Sequence, residues 1–379
     1  MRLYEYEAKE IFQKYGLAIP KGQIVESAEE ARRFASQIGG PVIIKPQVSA
    51  KKRGKAGAIR FASNPEEAFL QSQSVLGMML DHEKVSTLLV EEKIEVDREF
   101  YIGMTIDYSS LKPIAIASPL GGVDIEEVAQ ENPAMVKKIV FSISEGITEK
   151  DLEELISVFK PTEQMLMKEV TRRLSQIFQK YDAEMVEINP LALTKHGKAV
   201  ALDAFLNVDD DSLFRHPDLV KPRGMSQEEF EFEQSLKEKK WKYIEMDTEG
   251  EIGILSSGAG ITMAILDLIK MRGGRPANFL DTAQMNAEGI YNAFSLFAGN
   301  TKLKVLLVNI FAGLNRCDDL AMGIKQYLQE HPLRMPLVVR MIGYREDEGK
   351  SILKEINLET IRSLEDSVEK VIQIAKGAK

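Results

Sequence analysis

Glu187-Ile188-Asn189-Pro190-Leu191 is followed ten residues later by Ala201-Leu202-Asp203. Val186 and Ile188 alternate with Glu187 and Asn189, the period of a strand with one buried face. Pro190 lacks a ladder donor, so the strand is expected to end there. Lys195-His196-Gly197-Lys198 reads as a polar turn and Ala199 to Leu202 as the return strand. Such a hairpin sets an amide oxygen beside a carboxylate, a pair that can hold a hard cation such as Mg2+ when nucleotide phosphates complete its shell. A plain hairpin with a polar end accounts for the same residues, so the rest of the chain has to decide.

The chain has 379 residues, too many for one ordinary core, and roughly two or three domains are expected. With 44% hydrophobic and 28% charged residues it has the composition of a soluble globular protein. A formal charge of −9 argues against a nucleic-acid surface. No apolar run is long enough to span a bilayer, and the acidic start, with Glu5, Glu7 and Glu10, suits neither a signal nor a transit peptide. A single cysteine, Cys317, excludes an internal disulfide framework and a multi-cysteine zinc site. A cytoplasmic protein is expected.

Working outward from the hairpin, residues 1–225 read as α+β. Tyr4, Ala8, Ile11 and Phe12 share one face of an opening helix that Gly16 can close. Ser27 and Glu30 have capping-box spacing at the start of a second helix. Val42 to Lys45 and Leu88 to Glu91 are strands ending in a lysine and a glutamate. Residues 99–106 and 112–117 form a meander leading to Gly121-Gly122, and a long helix runs from about Thr162 to Tyr181. Residues 226–240 are dense in both charges and read as a surface linking helix. From 241 to 379 strands and helices alternate: 252–255, 277–280, 305–310, 337–340 and 359–361 are strands, and the first three each lead through a turn into a helix. That alternation implies a parallel sheet covered on both faces, with the turns 256–260, 281–286 and 311–317 on one ligand-binding rim.

Lys51-Lys52-Arg53-Gly54-Lys55-Ala56-Gly57 carries four cations and two glycines in seven residues, which suits a flap over polyphosphate. It lacks the ending of a Walker loop; a solvated basic loop is the plainer account. Glu91 and Glu99 bracket Ile94, a spacing that can serve a base and its ribose but is also common in surface segments. Ser256 to Gly260 can present N–H groups to an anion, or merely pack. Arg316 is available to a carboxylate or phosphate. Cys317 has no neighbouring histidine and reads as a packing thiol. His82, His196, His216 and His331 lie in polar loops or at helix ends, so a phosphohistidine would have to come from another chain.

Together, Leu3-Tyr4-Glu5-Tyr6-Glu7-Ala8-Lys9, Arg53 to Gly57, Gly121 to Glu126, Glu187 to Leu191, Leu213 to Leu219, Gly258-Ala259-Gly260, Pro276 to Asp281 and Val308 to Phe311 resemble, nearly end to end, the β-subunits of NDP-forming succinate–CoA ligases. The resemblance implies an ATP-grasp half followed by a flavodoxin-like CoA-ligase half. It implies that Lys45, Lys52, Arg53, Gly54, Glu91, Ile94 and Glu99 bind ATP or GTP, that Asn189 and Asp203 ligate Mg2+ with Glu187 nearby, and that Ser257, Gly313, Leu314 and Asn315 face the acid. It also implies a CoA-binding α-subunit, in an αβ or α2β2 assembly, that carries the phosphorylated histidine, with no catalytic nucleophile in this chain. Departures cluster on the rim: Ala283-Gln284-Met285 stands where a triple glycine is usual, Ala312 replaces a glycine, Ser257 an asparagine, and Phe205 a lysine. Lys51-Lys52 resembles the flap of ATP-citrate lyases and citryl-CoA synthetases. An acid other than succinate is therefore expected to be open to this chain; a citryl-CoA or malyl-CoA synthetase subunit and a non-catalytic nucleotide-binding paralogue are the alternatives.

Overall fold

The protein, seen in a computed structural model, is described over residues 1–48, 57–80, 83–223, 227–283 and 285–377. It divides into two compact units, Met1–Met225 and Ser226–Lys379.

The first unit holds two main antiparallel sheets. One orders Gly22–Val25, Leu88–Glu92, Val42–Pro46 and Arg60–Ala62. Helices Ala28–Ile38 and Pro65–Val75 pack Phe34, Ala35 and Val75 onto its Val42, Ile44 and Val90. The Ser27 hydroxyl accepts the Glu30 N–H and Gly39 takes a left-handed conformation (φ 70°), so local chemistry marks both ends of the first of these helices. The other sheet orders Ala199–Ala201, Ala183–Thr194, Val96–Asp107, Lys112–Ser118 and Lys137–Val140, with Phe205–Val208 also paired to Ala183–Thr194. Helices Glu5–Lys14 and Pro161–Lys180 bring Phe12, Leu174 and Phe178 against Phe100, Ile102 and Ile188. Burying each such side chain is worth about 1.5–3 kcal/mol, which is what holds helix to sheet.

Pro190 does not end its strand. Ala183–Thr194 runs through it, and a bulge absorbs it: Ile188 faces Ile102 and Leu191 faces Phe100, so Asn189 and Pro190 together oppose Tyr101. A bulged residue owes no ladder donor, so proline is tolerated there. The Pro190 carbonyl still accepts the Leu202 N–H (3.1 Å).

The second unit is built on a six-stranded sheet ordered Lys242–Glu245, Asn278–Asp281, Ile252–Ser256, Val305–Ala312, Leu337–Gly343 and Thr360–Ile361. All pairs are parallel except the first, an antiparallel edge that the sequence pattern did not suggest. Alternate residues serve opposite faces. Leu306, Val308 and Ile310 pack with Phe294, Leu320 and Leu353, while Val305 and Leu307 pack with Ile265, Leu266 and Val368. Leu236 and Trp241 are buried in the first of these cores, so helix Gln227–Glu238 is anchored to the second unit at its end.

Candidate functional site

The first unit sets its polar groups out by strand register. Leu191 pairs with Ala201 and Glu187 with Phe205, so the intervening Asn189 and Asp203 stand opposite each other on neighbouring segments. Asp203 lies in the bend that separates Ala199–Ala201 from Phe205–Val208, and its Oδ1 accepts the N–H of Ala204 (2.8 Å). The Asn189 side chain is oriented by the glycine loop: Gly122 N–H donates to its Oδ1 (2.8 Å), and its Nδ2 donates to the Val123 carbonyl (3.0 Å). Glycine is required in that loop. A Cβ on Gly121 would lie 2.3 Å from the Phe100 carbonyl oxygen, and Gly122 has φ 70° against the Glu99 carboxylate. The Glu99 carboxylate thus lies against Gly122, whose N–H is bonded to Asn189. Glu187 accepts from the Tyr101 hydroxyl (3.0 Å), and burial, then the Glu187 charge, holds that phenol protonated well above its ordinary range.

Behind these residues lies a buried charge cluster. Lys45, on Val42–Pro46, donates to Glu5 Oε1 (2.7 Å), pairs with Glu91 Oε2 (3.0 Å) and reaches the Leu202 carbonyl. Lys9 meets Glu5 Oε1 (2.9 Å), Glu91 Oε1 (2.5 Å) and the same carbonyl (2.8 Å). Burial alone would lower the Lys45 pKa, but the charges of Glu5, Glu91 and Asp203 outweigh it and hold the ammonium above its ordinary range. Glu5 and Lys9 escaped the sequence reading, which saw only an apolar face in that helix. Their spacing of four residues, on the face that also carries Ala8 and Phe12, was the available signal. Ile94 is partly buried between its two strands, while Lys52, Arg53 and Gly54 lie outside the described residues. Phe205 carries no charge, but the Arg2 guanidinium sits 4.7 Å from its ring centre.

The donor set suits Mg2+. Asn189 Oδ1 keeps a second lone pair after accepting from Gly122, and Asp203 and Glu187 supply carboxylates. Among the described residues no group of three acidic, histidine or cysteine side chains is gathered for a metal. Mg2+ commonly binds one or two carboxylates plus substrate phosphates and waters, and so asks for no more than this.

In the second unit the predicted turns do meet on one edge, since Ser256 pairs with both Asp281 and Asn309. Asp281 Oδ1 accepts from Gly258 N–H (2.7 Å) and Ala283 N–H (2.9 Å), tying two turns together. Ala283 holds φ 51°, a left-handed conformation that glycine adopts without cost. Beneath the rim runs a buried series of hydrogen bonds among neutral groups that ends in a cation: Thr282 Oγ1 donates to the Ser256 carbonyl (2.9 Å), Asn309 Nδ2 to Ser256 Oγ (3.0 Å), and the Arg340 guanidinium to Asn309 Oδ1 (2.8 Å). Leu314 and Asn315 line a cavity of about 550 Å³ with Trp241, Met285 and Arg316. Ser257 and Gly313 are on neighbouring turns and do not line it. Arg316 is held bidentately by Asp318 (3.1 and 2.6 Å), so its charge is already partnered. Cys317 is buried, and burial pushes its thiol up to about 11, in keeping with packing.

Comparison with known proteins gives one consistent result. The ATP-grasp domain family matches residues 2–193 and the CoA-ligase family residues 255–374. The chain is 42% identical over 389 residues to the β-subunit of ADP-forming succinate–CoA ligase from Pyrobaculum islandicum, covering 99% of this chain and 100% of that one. It is 40% identical to a β-subunit (subunit beta 2) of Archaeoglobus fulgidus, with 99% and 100% covered, and 38% identical to that of Burkholderia mallei, with 100% of both covered. Among solved structures, an ATP citrate lyase from Methanothrix soehngenii, in complex with citrate and coenzyme A, shares the fold (TM-score 0.78, 98% of this chain and 99% of that one, 19% identity). An ATP-grasp unit and a CoA-ligase unit in this order, with full-length identity to such subunits, make the chain a member of the succinate–CoA ligase β-subunit family.

Proposed function

We propose that this chain is the nucleotide- and acid-binding subunit of an ADP-forming acid–CoA ligase. The observation that carries the reading is Asn189 held opposite Asp203, with Lys45 bonded to the carbonyl of the residue before Asp203. Lys45, Glu99 and the flap residues Lys52, Arg53 and Gly54 hold the nucleotide, Glu91 holds Lys45, and Ile94 lies against the base. Asn189 and Asp203 would hold Mg2+, which supplies charge neutralisation at the phosphates when bound. The residues position and neutralise, as phosphoryl transfer demands, and contribute no covalent chemistry.

The γ-phosphoryl group passes to a histidine of a CoA-binding α-type subunit, then to the acid carboxylate at the rim turns, and CoA thiolate displaces phosphate to give the thioester. The need for an outside histidine is supported by the partners of two of this chain's own: His216 is bonded to Asp182 (2.8 Å) and His331 to Tyr291 (3.0 Å). The acid is a small carboxylate, succinate or a relative of it. Ala283 and Ala312, with methyl groups where the family resemblance implies glycine, favour an acyl pocket of altered shape, which keeps a citryl-CoA or malyl-CoA synthetase in view.

The test is CoA-dependent ADP release by the chain co-expressed with its α-type partner, across succinate, malate, citrate and smaller acids. Turnover with at least one acid, falling about 100-fold or more in Asp203→Ala, is expected. An assembled complex that binds ATP, releases no ADP with any acid and leaves the partner histidine unphosphorylated would exclude the ligase reading in favour of a nucleotide-binding paralogue.

A further inference from the structure

Lys9 and Lys45 bond the same three acceptors: Glu5 Oε1, the Glu91 carboxylate and the Leu202 carbonyl. As a device for stability this duplication is poor, because buried ion pairs seldom repay the cost of removing charge from water. Lys9 is only 2% exposed and closed in by its partners, whereas Lys45 is 8% exposed. The two lysines and two glutamates balance in charge. If Lys45 turns toward a phosphate, only Lys9 remains on all three acceptors.

The Leu202 carbonyl is the acceptor that matters most. It belongs to the peptide joining Leu202 to Asp203, at the bend where the strand breaks opposite Asn189. An ammonium on that oxygen fixes the peptide plane and with it the starting direction of the Asp203 side chain. We propose that Lys9 is a positioning residue: it holds the Leu202–Asp203 peptide, and the Glu5 and Glu91 carboxylates, in place while Lys45 changes partners to phosphate. This rests on the nucleotide reading above and adds to it a residue that touches neither nucleotide nor cation. Support groups behind a metal ligand typically change metal affinity by roughly 10–100-fold when removed.

The experiment is calorimetric titration of the full chain with MgATP, and with ATP in EDTA, for the unmodified protein, the charge-balanced Lys9→Met/Glu5→Gln double variant, and Lys9→Arg. Thermal melting confirms which variants fold. The double variant leaves the Lys45–Glu91 pair intact, so a role in charge balance alone predicts unaltered binding. The expected result is a MgATP Kd raised roughly 10–100-fold while affinity for ATP in EDTA is unchanged, with Lys9→Arg, which keeps the charge but not the ammonium geometry, showing a smaller loss in the same direction. MgATP affinity equal to that of the unmodified chain in the folded double variant, or in Lys9→Arg if the double variant does not fold, overturns the inference. Failure of the unmodified chain to bind MgATP overturns the nucleotide reading, and this inference with it.

Discussion

The two units organise polar chemistry in opposite ways. In the first, two lysines and two glutamates are buried together, and formal charges hold one peptide carbonyl in place. In the second, the rim rests on neutral groups, with Thr282, Ser256 and Asn309 hydrogen-bonded in series and one buried cation, Arg340, at the end of the series. Arg340 donates to two neutral oxygens, Asn309 Oδ1 and the Arg362 carbonyl (3.1 Å). The charge cluster is in keeping with the nucleotide and cation site proposed above, and the neutral groups with the acid-binding turns proposed there. The contrast also separates how each region should fail.

The largest effect is expected from Lys45→Met. It leaves Glu5 and Glu91 with one ammonium between them, so unfolding should become easier by about 3–5 kcal/mol, read by urea denaturation. The sign of its pH dependence follows from the raised pKa. The Lys45 contribution is fully present below the unfolded-state value of about 10.5 and is lost only as pH rises through the still higher folded value. The difference between Lys45→Met and the unmodified chain should therefore be flat from roughly pH 6 to pH 9. A marked slope in that window would mean the cluster is not held as two full ion pairs.

Asn309→Ala breaks the second region in the same manner but strips neutral partners from Ser256 and Arg340. Each buried group left unpaired costs about 1–3 kcal/mol, so a loss near 2 kcal/mol is expected, below that of Lys45→Met. Equal losses would erase the distinction between the two regions. Ala283→Gly should act in the other direction. Relief of the left-handed alanine stabilises the second unit by about 1 kcal/mol, seen as a raised melting temperature. An unchanged or lower melting temperature would show that the Asp281 clamp, rather than backbone preference, governs that turn.

The smallest effect lies away from both sites. Arg215 and then His216 hold the Asp182 carboxyl below its usual value against the opposing effect of burial. Its contribution is present above the unfolded value of about 3.9 and is lost as pH falls through the folded value. Asp182→Asn should cost about 1 kcal/mol or less at pH 7, with the gap to the unmodified chain closing in acid. A gap that persists at low pH would point to the placing of His216 against the Tyr181 ring (ring centres 5.6 Å apart) rather than to charge.

Much of the architecture was legible in the chain itself. Ser27 and Gly39 bound their helix as their capping chemistry demands, and the parallel order of the second unit follows from the alternation after residue 250. The hairpin that sets Asn189 opposite Asp203 was also within reach, because its 195–198 turn makes it a local structure. Pro190 was misread because its missing donor argues for a strand end only where the ladder needs that donor, and the bulge opposite Tyr101 removes the need. The edge strand Lys242–Glu245 was missed because its exposed pattern carries little apolar periodicity.

Turn residues, caps and periodicity act over a few positions, so sequence alone determined most of the longer elements, the two-part order and the residue types at the glycine and rim turns. Long-range packing was needed to bring Glu5, Lys9, Lys45, Glu91 and the Leu202 carbonyl into one buried cluster. Glu5 and Lys9 share one helix, but Lys45, Glu91 and Leu202 come from other segments, and a lysine on an amphipathic helix is ordinarily solvated. What brings it inside is the arrival of the Glu91 carboxylate and the Leu202 carbonyl from distant parts of the chain beside Glu5 of its own helix, and no local pattern records that meeting.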